Sequence, residues 1–166
     1  MNLVLIGYRG TGKSHVGRLL AQRLGRRLVS TDAEIVRRAK QSIPEIVKAH
    51  GWEHFRDLES DVCRDLAGQD QLIIDTGGGA ILRPENAAAL KANGRLFWLT
   101  AEVSQIVARI GGDSQRPSLT GAKSFTDEVE EVLRERTPKY QAAADHIIPT
   151  DRRSPRQVAD AIAALW

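Results

Sequence analysis

Gly7-Tyr8-Arg9-Gly10-Thr11-Gly12-Lys13-Ser14 lies between the apolar run Asn2–Ile6 and an amphipathic segment that ends near Leu24. The stretch matches the pattern G-x-x-x-x-G-K-[ST], which in phosphate-binding loops joins a strand to the start of a helix. Its glycines let backbone N–H groups turn inward around phosphate oxygens, and the N-terminus of the following helix adds partial positive charge. The stretch therefore predicts a phosphate-binding loop after the first strand.

Lys13 and Ser14 are the loop residues whose side chains suit a nucleoside triphosphate. We expect the Lys13 ammonium group to reach the β and γ phosphates of ATP. We expect the Ser14 hydroxyl to bind the Mg²⁺ that bridges those phosphates. Since a purely structural turn has no need for a Lys-Ser pair, the loop predicts binding of Mg-ATP.

Short apolar runs alternate with helix-sized segments along the chain. The predicted strands are Asn2–Ile6, Leu28–Ser30, Leu72–Asp75, Leu96–Leu99 and His146–Ile148. The predicted helices are Gly12–Leu24, Asp32–Lys40, Pro44–Ala67, Glu85–Ala92, Val103–Ile110, Thr126–Arg136 and Pro155–Leu165. The signals for helix starts are Ser42 with Glu45, Thr31 with Glu34, Pro84 and Pro155. Strands separated by helices predict a three-layer α/β fold, with a mainly parallel five-stranded sheet covered on both faces.

Residues 111–124 fit no helix or strand. They combine three Gly and one Pro with several polar residues around Arg116. Gly and Pro are the residues that most often interrupt regular structure. We therefore predict a long mobile loop at this point of the chain.

The composition predicts one ordered domain over residues 1–166. Hydrophobic residues make up 42% of the chain and charged residues 27%, as in ordinary globular proteins. Cys63 is the only cysteine, and no Cys/His spacing matches a zinc site, so we expect a reducing compartment, the cytoplasm. The run Leu3–Ile6 is too short to span a bilayer or to serve as a signal sequence. For this chain length we expect a monomer without membrane contact.

The net charge of +3 comes from 18 Arg and only six Lys, scattered along the chain. Arg binds carboxylates and phosphates through paired hydrogen bonds, so an anionic substrate would explain this balance. A biased genome composition would explain many of the Arg equally well. Since aromatic residues make up 5% of the chain and no basic stripe is present, we do not expect a nucleic-acid partner.

Six collinear segments resemble those of the shikimate kinase family. Besides the loop at residues 7–14 they are Ser30-Thr31-Asp32, Glu53-His54-Phe55-Arg56-Asp57-Leu58-Glu59, Thr76-Gly77-Gly78-Gly79, Arg116-Pro117-Ser118-Leu119-Thr120-Gly121 and Glu135-Arg136-Thr137-Pro138-Lys139-Tyr140. The resemblance implies a P-loop kinase fold, a doubly wound sheet of five parallel strands with a lid near residues 111–124 that closes over ATP. It also implies transfer of the γ-phosphoryl group of Mg-ATP to the 3-hydroxyl of shikimate, a step of chorismate and aromatic amino-acid biosynthesis.

The resemblance implies the substrate contacts as well. The residues concerned are Asp32, Arg56, Gly77, Gly78, Gly79 and Arg136. Arg56 and Arg136 would bind the carboxylate of shikimate, a task suited to guanidinium geometry. Asp32 would hold the substrate hydroxyls and accept the proton of the attacking one. The three glycines would let the substrate approach the backbone closely.

The nucleotide contacts implied by the resemblance are Gly10, Thr11, Gly12, Lys13, Ser14, His15, Arg109, Arg116 and Arg153. Arg109 and Arg153 would enclose the adenine, because a planar guanidinium stacks on a base. Arg116 resembles the lid arginine that stabilises charge on the transferring phosphoryl group. The implied catalytic residues are therefore Lys13, Asp32 and Arg116.

The residues by themselves leave simpler interpretations open. A carboxylate at Asp32 would also stabilise the start of a helix. Arg56 has Glu53 and Glu59 within reach of an intrahelical salt bridge, which is the favoured interpretation from sequence alone. Arg136 stands where the helical pattern asks for an apolar residue, so it needs an anionic partner, either a substrate or an ordinary ion pair, unless its head group reaches solvent.

The expected metal site departs from the family pattern. Many shikimate kinases have Asp-x-Asp where this chain has Ser30-Thr31-Asp32, so the first carboxylate, usually linked to Mg²⁺ through water, is missing. The third predicted strand ends in Asp75, where family members commonly carry a small residue. Our hypothesis is that Asp75 compensates for Ser30 and forms the metal site with Ser14. The alternative is a strand-end Asp that faces solvent.

Two other functions stay open. A different small-metabolite kinase, such as a gluconate kinase, would share the loop and the sheet but would have no use for two arginines that hold a cyclic carboxylate. A regulatory relative that binds ATP without turnover would not need the whole set of Lys13, Asp32, Arg56, Arg116 and Arg136.

Overall fold

The computed structural model describes residues 1–111 and 124–166. Its strands are β1 (Asn2–Ile6), β2 (Arg27–Ser30), β3 (Leu72–Asp75), β4 (Gly94–Thr100) and β5 (His146–Pro149). Its helices are α1 (Lys13–Leu24), α2 (Thr31–Ala39), α3 (Ile43–Ala67), α4 (Pro84–Ala92), α5 (Val103–Ile110), α6 (Phe125–Ala143) and α7 (Pro155–Leu165), with a short 3₁₀ helix at Ala80–Leu82. The predicted lid, including Arg116, lies outside the described residues apart from its two ends.

The five strands pair in parallel in the order β2-β3-β1-β4-β5, which confirms the predicted sheet. β1 lies at its centre, and all of its side chains are buried because both faces are covered. Val4 and Ile6 pack in a core with α2, α3, α4 and α6, whereas Leu3 and Leu5 pack against α1 and α7. In the described parts of the chain, no helix is both long and apolar enough to cross a bilayer.

The carboxyl ends of β1, β2 and β3 meet at one edge of the sheet. The phosphate-binding loop follows β1, and Ser30 and Asp75 are register partners at the ends of β2 and β3. Gly77 to Gly79 follow directly after β3. In open parallel sheets, ligands bind at this edge, where neighbouring strands send their connections to opposite faces. The fold therefore brings the predicted site segments together.

Most predicted helix bounds agree with the structure to within one residue, but two helices differ further. α6 does not end at Arg136 but continues through Pro138 to Ala143, because Tyr140 on its last turns is fully buried, stacks on Trp98 at 5.5 Å and donates a hydrogen bond to the Gly78 carbonyl. α3 is interrupted at Gly51, whose φ of 85° is comfortable only for glycine.

The sequence predicted Thr31 as the N-cap of α2, and this prediction is wrong. Ser30, not Thr31, is the N-cap, and its hydroxyl accepts a hydrogen bond from the Ala33 N–H at 3.2 Å. The Thr31 hydroxyl instead accepts from the Gly77 N–H at 2.8 Å, so it links α2 to the glycine turn. Ser42 caps α3 as predicted, by accepting from the backbone of Glu45. First-turn prolines are confirmed at α4 and α7.

Candidate active site

The side chain of Lys13 is hydrogen-bonded to the backbone of the phosphate-binding loop. Gly12, with φ 90°, is the N-cap of α1, so Lys13 begins the helix as the sequence predicts within one residue. The Lys13 ammonium donates to the carbonyls of Gly7 at 2.8 Å and Tyr8 at 3.1 Å, and the Thr11 hydroxyl donates to the Tyr8 carbonyl at 2.8 Å. The loop thus presents a pre-formed turn with a positive charge held against its backbone.

A cavity of about 390 Å³ opens between this loop and the ends of β2 and β3. Residues from three of the six family-like segments line it together with Asp75, among them Lys13, Ser14, Asp32, Gly77 and Gly78. The cavity therefore combines an ammonium, a hydroxyl and two carboxylates. This combination suits transfer of a phosphoryl group to a hydroxylated acceptor, because one carboxylate can take a proton while the cationic groups hold phosphate.

A second cavity of about 260 Å³ lies on the other side of the loop. Its lining includes Thr11, Gly12, His15, Arg109, Arg153 and Pro155. The Arg109 guanidinium donates to the Gly10 carbonyl at 3.0 Å, which fixes it beside the loop. The structure thus brings Arg109 and Arg153 to one site, as an adenine position next to the phosphates would require.

In the turn after β3, a charged side chain lies close to the place that a Cβ atom on each glycine would occupy. A Cβ on Gly77 would lie 2.6 Å from Asp32 Oδ1 and 3.0 Å from Glu59 Oε2. A Cβ on Gly79 would lie 2.4 Å from both terminal nitrogens of Arg56, and one on Gly78 would lie 3.2 Å from Arg136 Nη1. The glycines were predicted to let a substrate come close to the backbone. In the structure, the side chains of Asp32, Arg136 and Arg56 come close to these glycines.

Arg56 is held by a salt bridge on its own helix, as its spacing predicts. Its guanidinium donates to Glu59 at 2.8 Å and lies over the rings of Trp52 and Phe55, 5.4 Å and 5.2 Å from their centroids. The side chains of Arg56 and Glu59 are 13% and 0% exposed. Sequence spacing shows the pair but not its burial, so Glu59 is a site residue that sequence reasoning missed. Glu53 pairs with Arg83 instead.

Arg136 is a buried cation without an acidic partner among the described residues. It is 7% exposed, and its guanidinium lies 5.7 Å from the centroid of the Tyr8 ring. Of the interpretations left open by the sequence, a solvent-facing head group is wrong, because the side chain is buried. Among the described residues its contacts are with the ring of Tyr8 and the hydroxyl group of Tyr140. Because a buried unpaired charge is costly, this position calls for an anionic ligand.

Asp75 faces the phosphate-binding loop. It is 6% exposed, so the solvent-facing alternative is wrong, and its Oδ2 accepts a hydrogen bond from the Ser14 hydroxyl at 2.6 Å. Burial raises the pKa of the Asp75 carboxyl, while the Lys13 charge and the Ser14 hydrogen bond act to lower it. Asp75 is the register partner of Ser30 in the neighbouring strand, so its carboxylate lies directly beside the position where the family pattern has its missing Asp.

Cys63 lies close enough to Glu59 and Asp32 to feel their charges. It is fully buried on α3, and burial, followed by the charges of Glu59 and Asp32, raises the pKa of its thiol to about 12. The thiol is therefore neutral at physiological pH and has no place in the chemistry.

Gly79→Ala should weaken substrate binding without disturbing the nucleotide site. Gly79 has φ −99°, which suits alanine, so the effect is steric: the new methyl group displaces the Arg56 guanidinium from its contacts. We expect kcat/KM for the acceptor to fall about 10- to 100-fold, as for other small misplacements of a binding group. KM for ATP should change less than twofold.

Steady-state kinetics with each substrate varied would check this result. Gly68→Ala is the matched control, because Gly68 is exposed, has φ −76° and leaves ordinary space for a Cβ. Equal kinetics for the two variants would contradict the role of Arg56 in acceptor binding.

Comparison with known proteins identifies the family. The family model "Shikimate kinase" matches residues 9–165. The chain is 47% identical over 150 residues to a shikimate kinase of Nitratidesulfovibrio vulgaris, covering 89% of this chain and 85% of that protein. It is 41% identical over 172 residues to one of Syntrophus aciditrophicus, covering 97% and 88%. The structure of a shikimate kinase from Acinetobacter baumannii in complex with shikimate superposes with a TM-score of 0.94 at 34% identity, covering 99% and 91%.

Proposed function

This chain belongs to the shikimate kinase family, and on that basis we propose that it transfers the γ-phosphoryl group of Mg-ATP to the 3-hydroxyl of shikimate. The observation that carries the proposal is Arg136, a buried guanidinium next to Gly78, which lines the cavity together with Lys13 and Asp32. An acceptor with a carboxylate for Arg136 and a hydroxyl group for Asp32, beside a phosphate bound by Lys13, would use all three side chains. Gluconate has these groups too, so the family membership decides for shikimate.

We assign the acceptor end of the site to Arg136, Arg56 and Asp32. Arg136 supplies the unpaired positive charge for the carboxylate, and Arg56, already oriented by Glu59, supplies a second guanidinium. Asp32, on the first turn of α2, lies across the glycine turn from both. It accepts the proton of the attacking hydroxyl, whose oxygen then bonds to the γ-phosphorus while the bond to the ADP oxygen breaks.

We assign the nucleotide end to the loop and its neighbours, Gly10, Thr11, Gly12, Lys13, Ser14, His15, Arg109 and Arg153. Lys13 exchanges its carbonyl partners for phosphate oxygens, and Arg109 and Arg153 enclose the base. Arg116 stays a prediction from the family resemblance, since it lies outside the described residues. We further propose that residues 1–166 form one catalytic domain, monomeric and located in the cytoplasm.

Ser14 and Asp75 fit a magnesium ion. Mg²⁺ binds oxygen ligands and in nucleotide sites uses one or two protein groups together with phosphates and water. The Ser14 hydroxyl and an Asp75 carboxylate oxygen, 2.6 Å apart at the mouth of the loop, provide such a pair. When bound there with ATP, the ion neutralises charge on the β and γ phosphates. We therefore propose that Asp75 takes over the role of the carboxylate missing at Ser30.

Asp75→Asn should weaken metal binding far more than a change at Ser30. We expect the Mg²⁺ concentration for half-maximal activity to rise about 10- to 100-fold, the usual cost of losing a supporting carboxylate. Mn²⁺ binding to the protein–ADP complex, followed by electron paramagnetic resonance, should weaken by the same factor. The control is Ser30→Gly, because alanine there would remove the cap of the helix that carries Asp32, whereas glycine costs only a few tenths of a kcal/mol. Equal, small effects of the two variants would contradict the hypothesis.

The function itself is tested by ADP release with Mg-ATP and a panel of acceptors: shikimate, quinate, gluconate and none. Turnover that depends on shikimate establishes the reaction. Turnover only with gluconate would indicate a related small-metabolite kinase on the same fold. ATP binding without acceptor-dependent turnover would indicate the regulatory alternative.

A further inference from the structure

Tyr8 contacts both ends of the site. Its carbonyl oxygen accepts hydrogen bonds from the Lys13 ammonium at 3.1 Å and from the Thr11 hydroxyl at 2.8 Å. Its ring lies beneath the Arg136 guanidinium, with 5.7 Å between the ring centroid and Cζ. One residue therefore touches the lysine assigned to phosphate and the arginine assigned to the acceptor carboxylate.

The Tyr8 side chain is held firmly in place. It is 1% exposed and packs in a cluster with Ile106 and Ile110 of α5 and with Val129 and Val132 of α6. Its hydroxyl finds no hydrogen-bond partner among the described residues. The aromatic ring, and not the hydroxyl, is therefore the part of the side chain that contacts Arg136.

We infer that Tyr8 is a positioning residue that couples the nucleotide site to the acceptor site, an inference that rests on the proposed function. Its ring supports the Arg136 guanidinium from below through a cation–π contact, which is strongest where water is excluded. Its backbone belongs to the loop that surrounds the phosphates. Nucleotide binding at the loop therefore shifts the packed ring that supports Arg136.

The physical sequence of this coupling starts at Lys13. To bind the β and γ phosphates, the ammonium exchanges its bonds to the Gly7 and Tyr8 carbonyls for phosphate oxygens. The peptide of Tyr8 then loses a cationic partner and adjusts with the loop. Because the ring is enclosed by α5 and α6, a shift of its backbone changes its contact with the guanidinium of Arg136 rather than moving the ring into solvent. By linkage, acceptor binding favours nucleotide binding by the same factor.

Calorimetric titration with shikimate measures this coupling directly. The protein is titrated alone and when saturated with Mg²⁺ and a non-hydrolysable ATP analogue, and the ratio of the two dissociation constants is the coupling factor. For the unmodified protein we expect a factor within the usual range of about 5- to 150-fold. Tyr8→Leu should bring it to within about twofold of unity, whereas Tyr8→Phe should keep it, because the ring remains.

Val129→Ala is the matched control for packing. It loosens the same buried cluster without altering the ring beneath Arg136, so it should lower the melting temperature and keep the coupling factor. Arg136→Lys gives a second route if Tyr8→Leu does not fold: it keeps the positive charge but loses the planar face, and should also abolish the coupling.

Four outcomes would overturn the inference. They are a factor near unity in the unmodified protein, a retained factor in Tyr8→Leu or in a folded Arg136→Lys variant, a lost factor in Tyr8→Phe, and an equal loss in Val129→Ala. Absence of shikimate binding by the unmodified protein, with and without nucleotide, would instead refute the proposed function.

Discussion

Asp32→Asn should lower kcat about 10²- to 10⁴-fold, the usual contribution of a positioned general base. Asparagine keeps the size of the side chain and can still hydrogen-bond a hydroxyl group, but it cannot take up the proton that the attacking oxygen releases. Because Asp32 lines the cavity shared with Lys13, the loss should fall on the chemical step and not on binding. Single-turnover kinetics with saturating ATP and shikimate would measure that step.

Glu34→Gln is the control for Asp32→Asn. Glu34 also lies in the first turn of α2, but its carboxylate pairs with Arg37 and Arg38, which lowers its pKa to about 2. If a first-turn carboxylate only stabilises the helix, the two variants should behave alike. A kcat for Asp32→Asn within threefold of the unmodified enzyme would leave Asp32 with that structural role alone.

Arg136→Met should abolish most acceptor binding while leaving the fold intact. Methionine keeps the unbranched apolar stem that packs in this buried position. Removing a buried charge that binds an ionic group costs about 2–5 kcal/mol, so kcat/KM for shikimate should fall roughly 30- to 5,000-fold. KM for ATP should change little. The melting temperature should stay constant or rise, since an unpaired buried guanidinium destabilises the free protein.

Arg56→Met is the variant to compare with Arg136→Met. It removes a guanidinium of the same site but leaves Glu59, which is fully buried, without this partner. Breaking a buried pair costs about 3–5 kcal/mol of folding free energy. We therefore expect Arg56→Met to lower both the affinity for the acceptor and the melting temperature. Arg136→Met should lower only the affinity for the acceptor. Thermal unfolding together with shikimate titration would separate the two, and similar destabilisation of both variants would show that Arg136 also has a structural partner.

The sheet was predictable because its strands are short apolar runs with both faces buried. β1 and β3 have the bounds expected from sequence, whereas β4 is longer at both ends, since Gly94, Arg95 and Thr100 pair with neighbours that the sequence does not reveal. The continuation of α6 past Pro138 has a similar cause. Local rules favour ending the helix there, but the burial of Tyr140 against Trp98 and Gly78 is a tertiary effect.

For the site, too, local sequence patterns were predictable and contacts between distant residues were not. Lys13 and Arg136 were singled out because the loop motif and a charge in an apolar position are visible in one dimension, whereas Asp32 and Arg56 were predicted as site residues only through the family resemblance. Glu59 and Tyr8 were missed because their importance lies in what they touch across the fold. Tyr8 also occupies a position where the loop pattern accepts any residue. The choice between Ser30 and Thr31 as cap depended on a backbone N–H of Gly77, 46 residues away.

The buried position of Cys63 makes the protein convenient for labelling. As the only cysteine, with a thiol that stays protonated and out of contact with solvent, it should remain unmodified under conditions in which maleimide dyes react with exposed thiols. A cysteine introduced on the surface would then be the single reactive one, with no need to remove the native residue first. Two such cysteines, one on each side of residues 111–124, would carry a pair of dyes for energy-transfer measurements while Cys63 stays in place.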